Sequence, residues 1–80
     1  MLKRTTKEYA MTTEPMLIPI GRHAVEVQLE ATAAIRVRGT LVAAGVRLQV
    51  GADDIARRGV VVRPVNPARL GTVTVTHRSV

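Results

Sequence analysis

The chain contains no cysteine, no phenylalanine and no tryptophan, and Tyr9 is its single tyrosine. Without cysteine, neither a disulfide nor a thiolate metal site can brace a fold of 80 residues. Without large rings, each of which removes roughly 150–250 Å² from water, the core has to be assembled from valine, alanine, leucine and isoleucine. A chain this short buries only somewhat over ~60 % of its unfolded surface. Association with further copies or other proteins is the remaining common support, and a homo-oligomer is expected. No apolar run approaches the ~20 residues of a membrane-spanning helix, and the opening "MLKRTTKEYAMTTEP" lacks the apolar stretch of a secretory signal. The chain therefore reads as soluble, intracellular or virion-associated, and not secreted by a signal peptide.

What the sequence does contain is 46 % apolar residues and a formal net charge of +6, with ten of its twelve basic residues arginine. Both lysines, Lys3 and Lys7, fall in the first seven residues. Residues 1–14 are polar and lack an apolar period, which predicts an extended arm preceding one small β domain over residues 15–80. On this arm Lys3, Arg4 and Lys7 supply charge for an acidic neighbour, and Tyr9 supplies the one sizeable apolar anchor.

From "MLIPI" onward the pattern has a period of two. Val25, Val27 and Leu29 alternate with Glu26, Gln28 and Glu30; Ile35 and Val37 alternate with Arg36 and Arg38; and "VRLQV" and "GTVTVTH" repeat the arrangement. "GVVVRPV" at 59–65 is almost continuously apolar, as for a strand covered on both faces. "GADDIARRG" predicts one short helix over about 52–58, with Asp53 and Asp54 in its first turn, Arg57 and Arg58 in its last and Gly59 as a left-handed stop. Asp53 and Arg57, and Asp54 and Arg58, are spaced to pair along it. The fold class is mainly β, a small β-barrel or sandwich of about five to six short strands. Residues 24–38 are expected to form an antiparallel hairpin turning at Ala31, Thr32 and Ala33, with Val27 opposite Val37, Leu29 opposite Ile35, Glu26 opposite Arg38 and Gln28 opposite Arg36. The second half, "GVRLQVGADD" with "VVVRPVNPARLGTVTV", resembles the latter part of the double-psi β-barrels of hexameric ATPase adaptor domains. It brings no functional residues with it.

For catalysis the chain offers little: Ser79 is next to last, His23 and His77 lie at opposite ends of the β region, and Asp53 and Asp54 diverge by about 100° on a helix. No nucleophile and base, no metal-ligand spacing and no phosphate-binding glycine motif can be named, so catalytic, metal and cofactor residues are all read as none. Ten arginines could contact phosphates, with Arg36, Arg38, Arg47, Arg57 and Arg58 the candidates for an acidic partner or nucleic acid. Single-strand binders, however, stack bases on rings worth roughly 1–3 kcal/mol each, and this chain has no ring beyond Tyr9. The leading expectation is a non-enzymatic structural or interaction protein, a β-rich subunit of a homo-oligomeric or larger assembly such as a decoration, cement or connector protein of a virus or phage particle. The alternative is a basic β-barrel that binds nucleic acid non-specifically through arginine–phosphate contacts.

Overall fold

The computed structural model describes residues 3–80; Met1 and Leu2, the start of the expected arm, lie outside the described residues. In chain order the elements are β1 (Lys3–Ala10), β2 (Met16–Pro19), β3 (Ala24–Ala31), β4 (Ile35–Val37), β5 (Thr40–Val42), β6 (Arg47–Gln49), α1 (Ala52–Ala56), β7 (Gly59–Pro64) and β8 (Thr72–Ser79). They build two four-stranded sheets, sheet A in the order β1-β8-β3-β6 and sheet B in the order β2-β7-β4-β5. All pairings are antiparallel. The mainly β expectation holds, with eight strands in place of five to six. No closed barrel of the double-psi kind is found among the described residues, since both sheets end in open edges.

Alternation accounts for the core. Val27, Leu29, Val73 and Val75 of sheet A and Ile18, Ile35, Val60 and Val62 of sheet B are fully buried in one apolar cluster, each contributing roughly 1.5–3 kcal/mol. At the start of β3 the pairing register shifts between Ala24 and Glu26, a bulge that buries Ala24 and turns Val25 outward, the reverse of the simple alternation.

The hairpin expected over residues 24–38 does not form. β3 lies between β8 and β6 in sheet A, whereas β4 lies between β7 and β5 in sheet B. Val27 and Val37 both reach the core, but from different sheets. Thr32 marks the departure point. Its N–H donates to the Thr72 carbonyl at 2.9 Å, and its Oγ1 accepts from the Thr72 N–H at 2.8 Å. These bonds hold the end of β3 on β8, and the chain then crosses to the other sheet. The expected partners change accordingly: Glu26 pairs with Arg78 at 3.5 Å, Gln28 with Gln49 at 3.2 Å, and Arg38 with the buried Asp54 at 3.4 Å. The tight hairpin is instead β4–β5, where Arg38 (φ 51°) and Gly39 (φ 80°) form a two-residue turn with both residues left-handed, the form that matches the natural strand twist.

The helix is shorter than expected, ending at Ala56 with Arg57 as its C-cap. Arg58 (φ 62°), not Gly59, occupies the left-handed position, and its guanidinium donates to the Gly21 carbonyl at 3.4 Å. Gly59 serves the sheet: a Cβ there would approach Leu17 Cδ1 to 2.9 Å. Asp54 turns toward Arg38 and away from the pairing expected along the helix.

The segment read as an arm is, from Lys3 to Ala10, paired with β8 along its whole length. Met11 is buried in the core, its N–H donating to the Gly71 carbonyl at 3.0 Å. The boundary at residue 14 is corrected to this extent. Strand pairing satisfies main-chain groups whatever the side-chain period, so a segment without an apolar face can still complete a sheet edge.

Candidate interaction surfaces

Three surfaces carry chemistry. The first is the outer face of sheet B. Register places Leu17 of β2 beside Val61 of β7, and Arg63 of β7 beside Arg36 of β4, which in turn lies beside Leu41 of β5. Leu17 is 65 % exposed, Leu41 59 % and Val61 42 %. The apolar run "GVVVRPV" is therefore covered on one face only, with Val60 and Val62 inward and Val61 in water. Arg36 and Arg63 stand directly opposite each other, an arrangement that like charges disfavour, and neither has an acidic partner within 4 Å among the described residues.

The outer face of sheet A is polar and internally balanced. Arg78 pairs with Glu26 and Arg47 with Glu30, each at 3.5 Å, and the second pair borders a cavity of about 140 Å³ lined also by Arg4, Thr6, Gln28, Thr74 and Thr76. Arg47 and Arg78 meet carboxylates of their own chain, which reduces what these two can offer to phosphate.

The third surface is a groove of about 350 Å³ between the inner face of β1 and the Pro19–Gly21 turn, bordered by Thr5, Lys7, Tyr9, His77 and Ser79. Nε2 of His77 is buried there without a hydrogen-bond partner. Burial, and secondarily the Lys7 ammonium, holds the imidazole below its ordinary value of 6.5. Among the described residues, no group of three or more His, Cys, Asp or Glu could hold a metal ion, and no helix is long and apolar enough to cross a membrane.

The arginines singled out from the sequence are dispersed. Arg36 lies on the outer face of sheet B, Arg38 in the β4–β5 turn on Asp54, Arg47 on sheet A against Glu30, and Arg57 and Arg58 at the end of α1. Lys3, Lys7 and Tyr9 lie on one side of β1 and Arg4 on the other, by strand alternation. Sequence reasoning missed Leu17, Leu41, Val61 and Arg63 as a surface. The signal was present in "MLIPI" and "GVVVRPV", whose unbroken apolar runs place apolar side chains on both faces of their strands. Comparison with protein-family models, characterised proteins and solved structures finds no match to this chain.

Proposed function

We infer that the chain is a non-enzymatic assembly subunit that docks through the outer face of sheet B onto a larger protein partner. The observation that supports this reading is an exposed face with Leu17 beside Val61 at one side and Leu41 at the other, flanking Arg63 and Arg36, on a sheet whose other face is the core. Burying the exposed parts of Leu17 and Leu41 would contribute about 1–2 kcal/mol each. Arg36 and Arg63 at the centre of the face call for carboxylates, so the fitting partner is a protein surface with apolar contacts flanking an acidic centre. A second copy of the same face is a poor fit, since it would bring these arginines onto their own counterparts. Nucleic acid is a poor fit as well: phosphates leave the leucines in water, and the face carries no aromatic ring for bases. A virus or phage particle, in which small β subunits decorate or connect larger ones, is the kind of assembly that would use such a face, with the two sheets forming a sandwich whose second outer side stays wet.

A photoreactive side chain at Leu41 in cells that make the protein tests the reading. The expected result is a protease-sensitive adduct of defined mass that disappears when Arg36 and Arg63 are both changed to Glu. A nuclease-sensitive adduct, or none, would overturn it.

A further inference from the structure

We propose that β1 is a self-pairing seam: two copies join edge to edge, antiparallel, with Thr6 on the two-fold axis, so that sheet A runs continuously through both. The proposal deepens the assembly reading by naming how copies associate, and it uses residues separate from the docking face.

β1 is an unusual edge. It pairs with β8 over eight residues, yet every one of them except Tyr9 is exposed. On its inner face Tyr9 packs against the core, while Thr5 and Lys7 border the groove beside the Pro19–Gly21 turn and stay exposed. Among the described residues nothing pairs with its other edge.

The direction of its free main-chain groups follows from two hydrogen bonds. In an antiparallel sheet, alternate residues turn both N–H and C=O toward the same neighbour. Met11 donates to Gly71 of the β8 side, so Lys3, Thr5, Lys7 and Tyr9 also face β8. Thr32 donates to Thr72, so Thr72, Thr74, Thr76 and Arg78 face β3 and leave Val73, Val75, His77 and Ser79 for β1, which agrees. Arg4, Thr6, Glu8 and Ala10 therefore present their main-chain groups to the open edge.

A second copy must match these outward residues with its own. With Thr6 opposite Thr6, Arg4 lies opposite Glu8 twice over, and on the other face Lys7 lies opposite Thr5 and Lys3 opposite Tyr9. Three narrow pairs then close roughly six main-chain hydrogen bonds. Every neighbouring alignment is worse. Centring on Thr5 sets Lys3 against Lys7, and centring on Arg4, Lys7 or Glu8 sets a charge against itself. Charges on an edge ordinarily repel other strands; here they repel all of these alignments but one.

The test is charge reversal, read by sedimentation at high micromolar concentration. The wild-type chain is expected to dimerise. Glu8→Arg or Arg4→Glu alone should weaken the dimer about tenfold or more, because both pairs become repulsive. The double reversal should restore it, and mixing the two single variants should give a heterodimer. Circular dichroism of each variant separates loss of pairing from loss of folding. In a chain without cysteine, Thr6→Cys should form an intermolecular disulfide under mild oxidation, while Thr40→Cys should not. A monomeric wild type, or a dimer indifferent to both single reversals, would overturn the seam. Its failure would leave the Leu41 adduct unaffected, and loss of that adduct would leave the seam unaffected.

Discussion

Gly71→Ala tests the account of how the fold is tied at the end of β8. Gly71 has φ +64°, where an L-residue costs about 1–2 kcal/mol. A Cβ at this position would fall inside the contact distance of Thr32 Oγ1 and approach Ala33 to 3.2 Å. Thr32 cannot simply rotate away, because its hydroxyl accepts the Thr72 N–H and its own N–H is bonded to Thr72. Losing the hydroxyl bond adds about 0.5–1.5 kcal/mol, for a total near 2–3 kcal/mol and a fall in Tm of roughly 10–20 °C for a domain of this size. Thermal and urea melts followed by far-ultraviolet circular dichroism would measure it. Gly39→Ala is the control: φ is +80° but nothing lies within 4 Å of the added Cβ, so only the conformational cost of about 1 kcal/mol should appear. In the Thr32→Ala background, Gly71→Ala should cost less than it does alone. Equal losses at Gly71 and Gly39, or strict additivity with Thr32→Ala, would refute the clamp.

Two further perturbations probe the charged groups. Arg38→Ala leaves the turn residue at the same left-handed φ, so it isolates the ion pair to buried Asp54; about 1 kcal/mol is expected after allowing for the partly exposed guanidinium, and a double-mutant cycle with Asp54→Asn showing no coupling would contradict the pairing. Because burial and then Lys7 lower the His77 pKa in the folded chain, the unfolded chain takes up the proton first as pH falls through 6.5. Stability is therefore full above that value and is lost as pH falls toward the folded pKa. The urea midpoint should drop between about pH 7.5 and about pH 5.5, and His77→Gln should reduce that drop; identical pH dependence in the two proteins would rule the mechanism out.

Much of the fold was legible one strand at a time. Period-two alternation placed Val27, Leu29, Ile35, Val37, Val73 and Val75 inside, and they are inside. The acids and arginines of "GADDIARRG" located the helix to within two residues of its end. These are local matters, since a side chain's hydrophobicity and a strand's pleat together fix which face turns inward. The apolar run of β7 was legible too, but not that one of its faces would meet water.

Pairing belongs to the tertiary structure. The same alternation on β3 and β4 is satisfied by a hairpin or by strands in different sheets, because both bury the same residues; the bonds between Thr32 and Thr72, forty residues apart, select the second. Likewise the charges of β1 carry no sign of a partner until β8 lies beside them, and only then does the alternation of main-chain groups decide that Arg4, Thr6 and Glu8 face outward. Sequence by itself set the inward face where alternation is regular, from Val27 to Leu29, from Ile35 to Val37 and from Val73 to Val75, a property of neighbouring residues. Which strands meet, and so which arginines find acids and which stay unpaired, was set by long-range hydrogen bonds that no local pattern encodes.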